Sequence, residues 1–158
     1  MDEFQEKFML EAIALSGKNL EAGHGGPFGA LVVRGGRVLG RGYNQVILRN
    51  DPTAHAEIIA IREACESLNS YELTGCSVYS SCEPCPMCLG ALYWARVDCI
   101  YYGCSREDAA QIGFDDQEFY RELNKPREHR SIRVKQILRP QALEIFEQWE
   151  KLEEKPWY

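Results

Sequence analysis

Two short motifs constrain the fold of this chain more than any other feature of its sequence. The first, His-Ala-Glu, occupies positions 55–57, and the second, Pro-Cys-Pro-Met-Cys, occupies positions 84–88. An imidazole from His55 and thiolates from Cys85 and Cys88 would supply three ligands of a tetrahedral metal ion and leave the fourth position open to water. A chain that uses these side chains together must bring both segments to one place.

The open fourth position is typical of a catalytic zinc site, because structural zinc sites are closed by four protein ligands. Cys85 and Cys88 are three residues apart in a predicted first helical turn, which puts both sulfurs on one face of the helix. The positive end of the helix dipole and the metal both favour thiolates there. We therefore predict one Zn²⁺ ion per active site, held by His55, Cys85 and Cys88.

Glu57 follows His55 by two residues on the same predicted helix, so the two side chains cannot point in one direction. We predict that Glu57 is the general acid–base, which carries protons from water to the substrate. Alone, His55 or a Cys-x-x-Cys pair would more often be core residues or a structural zinc site, and Glu57 a surface carboxylate. Together, at this spacing, they form the H-x-E…P-C-x-x-C arrangement of zinc deaminases.

Five cysteines lie outside this predicted ligand set. Cys82 extends the spacing to the start of an iron–sulfur motif, but Leu92 holds the place of its next cysteine. We predict small buried roles for the other thiols, which are Cys65, Cys76, Cys82, Cys99 and Cys104. The acidic start of the chain is not a secretory signal, and no apolar run has transmembrane length. Cytoplasmic, reduced thiols and no membrane partner are therefore expected.

The chain has 158 residues and a formal net charge of −6. Its length predicts a single domain over residues 1–158. The negative charge favours a small-molecule substrate over nucleic acid, whose binding depends largely on cationic side chains. One local group of basic residues is predicted to be a solvated face, and it consists of Arg121, Lys125, Arg127, Arg130, Arg133 and Lys135.

Helical and strand-like segments alternate along the first two thirds of the chain, which predicts an α/β fold with helices packed on a central sheet. A first helix should end near Gly23. The helix after the first hairpin should be capped by Asp51 or Thr53. The other predicted elements are a hairpin of 30–33 and 38–43, helices over 54–68 and from 86 to about 96, and strands over 76–80 and 99–102.

Beyond Gly103 the pattern predicts short helices around Ala109 and Tyr120 and a strand from Ile132 to Leu138. A final helix is expected from Ala142 to Leu152. Its inward-facing residues should be Leu143, Phe146 and Trp149.

Four segments carry a resemblance to a known family: 25–30 (GGPFGA), 50–57 (NDPTAHAE), 81–96 (SCEPCPMCLGALYWAR) and 113–116 (GFDD). They resemble the cytidine deaminase superfamily and, within it, the bacterial-type guanine deaminases. The zinc segments alone identify only the superfamily, since tRNA adenosine deaminases look similar there. Plant guanosine deaminases share the first and last segments. The resemblance implies a three-layer α/β/α sheet with flanking helices.

The resemblance also implies binding residues for a purine base. Asn44 would hydrogen-bond the base, Phe28 and Trp94 would pack on its ring, and Asp116 would contact its polar edge and assist proton transfer to the leaving amine. Core packing for Phe28 and Trp94, and turn capping for Asn44 and Asp116, are the simpler interpretations. Asp115 is the neighbouring alternative to Asp116.

The resemblance further implies a homodimer in which the C-terminal segment is exchanged between the two subunits. Here that segment would be about 140–158, and Tyr158 would close the partner's pocket. The predicted reaction is hydrolysis of guanine to xanthine and ammonia. The alternatives are a guanosine deaminase, a tRNA adenosine deaminase, and a non-catalytic protein with a structural zinc ion, which would require a fourth protein ligand.

Overall fold

Within residues 4–157, which the computed structural model describes, four strands form one sheet in the order β2-β1-β3-β4. Strand β1 is antiparallel to β2 and to β3, and β3 is parallel to β4. The strands are β1 (Gly29–Arg34), β2 (Arg37–Tyr43), β3 (Ser77–Cys82) and β4 (Cys99–Cys104). Each lies where the sequence predicted a strand, so the α/β prediction is confirmed for this part of the chain.

Helices cover both faces of this sheet. Helix α1 (Glu6–Ala22) packs on one face, where Phe8 and Leu15 meet Leu31 and Tyr79. Helices α3 (Ala56–Leu68) and α4 (Pro86–Trp94) lie on the other face with their own buried cluster. That cluster includes Ala30, Val32, Ala56, Ala60, Val78 and Leu92. Full burial of side chains such as Leu31 or Leu92 contributes about 1.5–3 kcal/mol each, and the layers form the predicted α/β/α arrangement.

Two glycines allow β2 to lie directly against α3. A side chain at Gly42 would place its Cβ 1.9 Å from the carbonyl oxygen of Ala56, and one at Gly40 would come within 2.1 Å of the Ala60 carbonyl oxygen. Helix α3 presents the small residues Ala56 and Ala60 at this contact. The close approach fixes the N-terminal turn of α3, which leads directly from His55 and carries Glu57.

The first turn of α3 differs from the prediction. The helix begins at Ala56, its N-cap residue is His55, and no side chain caps it. Asp51 instead accepts hydrogen bonds from the backbone N–H and the hydroxyl of Thr53, at 2.8 and 2.7 Å. The predicted cap by Asp51 or Thr53 was therefore wrong, because these two side chains close a local turn with each other.

The remaining helices of the first part are short. Helix α2 (Val46–Arg49) follows β2, and α5 (Arg106–Gln111) follows β4. A capping box starts α5, since the Ser105 and Asp108 side chains satisfy each other's backbone N–H groups. The predicted helix around Ala109 is thus confirmed.

The chain folds into two compact units, with the boundary between Gln117 and Glu118. The second contains α6 (Gln117–Asn124, which starts one residue earlier), a 3₁₀ turn (Arg127–His129) and α7 (Arg139–Glu150). The helices near Tyr120 and at the C-terminus confirm two predicted elements. The single domain over 1–158 stays a prediction.

Two expectations about the second unit were wrong. Residues 132–138 form neither a strand nor a helix, because a strand requires a neighbouring strand and residues 118–157 contain no other strand. In α7, Phe146 is 71% exposed and Trp149 is 40% exposed, so these two side chains do not point inward as expected, whereas Leu143 is half-buried. The predicted solvated basic face is consistent with the exposure of Arg121, which also pairs with Glu118.

The five remaining cysteines are all free thiols, but their burial differs. Cys76 and Cys82 are buried, and Cys65 and Cys99 are half-buried. Cys104 is exposed at the end of the edge strand β4, so its predicted buried role was wrong. Among residues 4–157, no helix has both the length and the apolar character needed to cross a bilayer.

Candidate active site

The predicted metal ligands meet where two helices begin. His55 is the N-cap residue of α3 and Cys85 is the N-cap residue of α4, and both have extended backbone conformations. Cys88 lies in the first turn of α4, which starts with Pro86 at a position where proline is favoured. The two motifs thus become neighbours because β3 and the sheet bring the start of α4 to the start of α3.

The three donor atoms have the spacing of a zinc site. The Sγ atoms of Cys85 and Cys88 both lie 3.5 Å from Nδ1 of His55. Nitrogen and sulfur ligands at tetrahedral positions on zinc are about 3.5 Å apart when Zn–N is near 2.0 Å and Zn–S near 2.3 Å. All three donors lie within 4.8 Å of one another, so the His55, Cys85 and Cys88 group fits zinc.

The surroundings favour a thiolate at this site. Hydrogen bonds from Cys88 and His55 lower the pKa of Cys85 to about 4. The hydrogen bond to Cys85, together with burial, raises the pKa of Cys88. The opposite directions describe two thiols that share a proton, and a cation in the proton's place stabilises both as thiolates.

The Cys85 thiolate also changes the pKa of the His55 ring. Its hydrogen bond with Cys85 raises the pKa of His55, against the effect of partial burial. Metal binding requires the neutral imidazole, so an ion must displace a proton from this cluster. The ring is oriented with Nδ1 toward both sulfurs.

Glu57 is the buried carboxyl group beside this cluster. It is 6% exposed, and its Oε1 accepts a hydrogen bond from the Ser80 hydroxyl at 2.9 Å. Burial raises the pKa of Glu57, and the Cys85 thiolate adds to that effect. A carboxyl group with a raised pKa can hold and release a proton near neutral pH, as a general acid–base must.

Asp116 is half-buried, whereas Asp115 is exposed and accepts the backbone N–H of Gln117 at 2.9 Å. Burial raises the pKa of Asp116, and the negative charge of Cys85 raises it further. Asp116 is therefore close enough to Cys85 for the two charges to interact. This position favours Asp116 over Asp115 as the candidate functional residue.

Asn44 and Phe28 lie together next to the glycine-rich loop of residues 23–28. Asn44 is 5% exposed, and its Oδ1 accepts the backbone N–H of Val46 at 3.2 Å. The Phe28 ring packs edge-on against Phe114, with centroids 5.0 Å apart. Phe28 is partly buried and packs against the core cluster, and the Asn44 side chain closes a local turn, so core packing for Phe28 and turn capping for Asn44 also fit the structure.

The other two predicted substrate contacts have different outcomes. Trp94 is the last residue of α4 and is 70% exposed, which excludes the simple core role. Tyr158 lies outside the described residues. Its proposed role therefore stays a prediction.

Sequence reasoning missed two polar residues that support the site. Ser80 shares a sheet face with Val78 and so points toward α3, where it meets Glu57. Its signal was a serine at an inward position of a strand that is buried along its whole length. Asn19 is the other missed residue, and no sequence signal marked it.

A buried carboxylate beside an imidazole and two thiolates, on a sheet covered by helices on both faces, defines a hydrolytic zinc enzyme of the deaminase class. The family model described as cytidine and deoxycytidylate deaminase zinc-binding region matches residues 2–104. The chain belongs to this deaminase family.

Individual relatives agree with this assignment. The chain is 46% identical to the guanine deaminase of Bacillus subtilis (strain 168) over 153 residues, which cover 97% of this chain and 98% of the relative. An X-ray structure of guanine deaminase from Bacillus subtilis superposes with a TM-score of 0.94 and covers 99% of both chains at 46% identity.

Two more distant relatives differ in what they act on or bind. A tRNA-specific adenosine deaminase of Haemophilus influenzae is 39% identical over 72% of this chain and 69% of its own length. A solved structure in complex with 2,6-diaminopurine is 34% identical, with a TM-score of 0.66 over 70% of this chain and 62% of the other.

Proposed function

We propose that this chain hydrolyses guanine to xanthine and ammonia. The observation that carries the proposal is the buried Glu57 carboxyl group, placed two residues from His55 and held by Ser80. The 46% identity to a guanine deaminase over nearly the full length supports guanine as the substrate.

The residues of the site divide the chemistry between them. His55, Cys85 and Cys88 would hold one zinc ion, which would supply Lewis-acid activation of the attacking water. Glu57 would take up the proton of the attacking water and deliver protons to ring atom N3 and to the departing amino group on C2. The hydrogen bond from Ser80 fixes the rotation of the Glu57 carboxyl group.

The proposed base pocket matches the polar edges of guanine. Guanine presents N1–H and the N2 amine as adjacent donors, which the Asp116 carboxylate accepts, and Asp116 then assists proton transfer at the leaving amine. Because Asn44 Oδ1 is engaged by Val46, the Nδ2 group of Asn44 is the donor for the O6 or N7 acceptors. Phe28 and Trp94 pack on the ring.

Two other substrates remain candidates. Guanosine presents the same base edge and additionally requires room for a ribose. Adenosine in tRNA is favoured by the relative from Haemophilus influenzae, but a formal net charge of −6 opposes binding to a polyanion.

We also propose that the chain works as a homodimer in which the segment of about 140–158 is exchanged and Tyr158 closes the partner's pocket. The exposed apolar side chains of the second unit support this arrangement, since Ile132, Ile137, Ile145 and Phe146 are each more than 60% exposed. Apolar groups of this kind gain free energy when a partner covers them. A cytoplasmic location and a role in purine breakdown complete the proposal.

The substrate is tested by ammonia release from guanine, guanosine, adenine and cytosine, with the Glu57→Gln protein as control. Release from guanine alone, absent in the variant, supports the proposal. Release from guanosine instead would keep the zinc chemistry and reject the proposed pocket. If none of the four compounds releases ammonia, a tRNA substrate or a non-catalytic role would be favoured.

The exchanged tail is tested by mixing two defective proteins after partial unfolding and refolding. Glu57→Gln removes the proton carrier, and Tyr158→Ala removes the proposed lid. If the tail closes the partner's pocket, the mixed dimer combines an intact site with an intact tail and activity returns. If each tail closes its own pocket, mixing restores nothing.

A further inference from the structure

Asn19 lies in the last turn of α1 and is 7% exposed. Its Nδ2 group donates two hydrogen bonds to backbone carbonyl oxygens, at 2.7 Å to Gly26 and at 2.8 Å to Asn44. Gly26 belongs to the loop between α1 and β1, and Asn44 follows β2. One amide group therefore joins the end of α1, the loop that follows it and the residue after β2.

The backbone groups of Gly26 and Asn44 also form hydrogen bonds with the backbone of Phe28. The backbone N–H of Asn44 donates to the Phe28 carbonyl at 3.0 Å, and the Phe28 N–H donates to the Gly26 carbonyl at 2.9 Å. Asn19, Gly26, Phe28 and Asn44 thus form a closed ring of hydrogen bonds. Removal of the Asn19 donors opens that ring on one side.

The loop is also packed tightly against the Asn44 side chain. A Cβ atom added at Gly25 would lie 2.0 Å from Asn44 Oδ1, so only glycine allows this approach. Gly26 is enclosed as well, since a Cβ there would lie 2.6 Å from the Phe28 ring and 2.8 Å from Phe114. With so little free space, a shift of the loop displaces both the Asn44 amide and the Phe28 ring.

The second polar atom of Asn19 shows which part of this side chain matters. Its Oδ1 is buried and has no hydrogen-bond partner among residues 4–157. An unpaired buried acceptor lowers stability, so packing alone does not account for an asparagine here. The two hydrogen bonds that Nδ2 donates account for it.

We infer that Asn19 is a positioning residue that holds Phe28 and Asn44 in register and thereby sets the affinity for the purine base. The inference rests on the proposed function, which gives Phe28 and Asn44 their ligand. Asn19 itself contacts only backbone groups of the loop and of the residue after β2.

The test compares Asn19→Asp with Ser77→Ala. Aspartate has nearly the same shape but donates no hydrogen bond when ionised and at most one when protonated, so at least one of the two bonds is lost. Ser77 is the matched control, because it is 1% exposed, its Oγ also lacks a partner among residues 4–157, and it lies at the start of β3. Asn19→Leu replaces the aspartate variant if the latter fails to fold.

For Asn19→Asp we expect the KM for guanine to rise roughly 10-fold, with kcat changed less than about threefold and zinc content unchanged. Ser77→Ala should keep the wild-type KM. An unchanged KM with a lower melting temperature would show a purely structural role. A fall in kcat or in zinc content at constant KM would place the effect at the metal site and also overturn the inference.

Amide hydrogen exchange supplies a readout that does not depend on turnover. Residues 23–30 and 43–46 should exchange at least about fivefold faster in the Asn19 variants, while α3 and α4 keep their protection. If the wild-type protein fails to deaminate guanine, the proposed function is wrong and exchange alone decides the positioning role. Unchanged exchange in both segments would then reject it.

Discussion

The two units of the chain differ in how they use their apolar residues. In the first, both faces of the sheet are buried, and Leu31 and Leu92 are almost completely inaccessible. In the second, none of the residues from 118 to 157 is buried, although Ile145 and Phe146 are as apolar as the core residues of the first. The first unit therefore explains its own stability, whereas the apolar side chains of the second unit stay exposed.

The two units also differ in their proposed roles, since the first carries the catalytic residues and the second carries the segment proposed to close the pocket. The three metal donors and Glu57 all lie in the first unit, where two helix N-termini and a buried strand fix them. The second unit contributes the segment that the proposed dimer exchanges. If this division is right, changes to the first unit abolish catalysis and changes to the second only weaken it.

The largest effect is expected from loss of a metal ligand in the first unit. In Cys85→Ser the thiolate with the lowered pKa is replaced by a neutral hydroxyl, a poor zinc ligand. We expect zinc content below roughly one tenth of the wild-type value and no measurable deamination. Cys104→Ser is the control, since Cys104 is an exposed thiol. Full zinc content and activity in Cys85→Ser would reject the proposed ligand set.

Glu57→Gln tests the proton carrier without removing the metal ligands. Because the amide cannot accept or release a proton, activity should fall by about 10²- to 10⁴-fold. Zinc content, measured on the same preparation, should equal that of the wild type. Wild-type turnover in this variant would remove Glu57 from the mechanism, whereas loss of zinc would show that it supports the metal site instead.

Deletion of residues 140–158 tests the contribution of the second unit. We expect zinc binding to persist and kcat/KM for guanine to fall roughly 10- to 100-fold, because the pocket stays open to water. Sedimentation should show the loss of a dimer. Undiminished turnover by the shortened chain would mean that the segment has no role in closing a pocket, and zinc loss would mean that the units are not independent.

The sequence predicted the first unit well for a physical reason. Its strands and helices bury their apolar residues within the same chain, so local periodicity and turn residues suffice to locate them. The metal donors were predictable because few arrangements other than a zinc site need one histidine and two cysteines at this spacing. The prediction of a side-chain cap on α3 failed because Asp51 and Thr53 form a hydrogen bond with each other instead.

Prediction failed where the outcome depends on surfaces far away in the sequence. The alternating apolar residues between Ile132 and Leu138 indicate a strand, but an extended segment becomes a strand only beside another strand. The wrong prediction of an inward face on α7 has the same cause, because the apolar side of an amphipathic helix is buried only where another surface packs against it. Ser80 and Asn19 are single polar residues whose importance lies in a neighbour 23 or 25 residues away.

The smallest effect is expected within the second unit, at Glu122. Its carboxylate accepts hydrogen bonds from Lys125 and from the backbone N–H of Ser131, and these lower the pKa of Glu122 to about 2. A lowered pKa in the folded state stabilises the fold at pH values above the unfolded pKa near 4.5, and this contribution is lost as the pH falls toward 2.

The Glu122 carboxyl signal in NMR spectra should therefore stay constant between about pH 7 and pH 4. Glu122→Gln should leave zinc content and guanine turnover within about twofold of wild type, because the pair is only partly buried and lies outside the unit that carries the metal donors. A titration midpoint near 4.5 would show that neither the Lys125 contact nor the Ser131 contact persists in solution, and a large loss of turnover would break the separation between the two units.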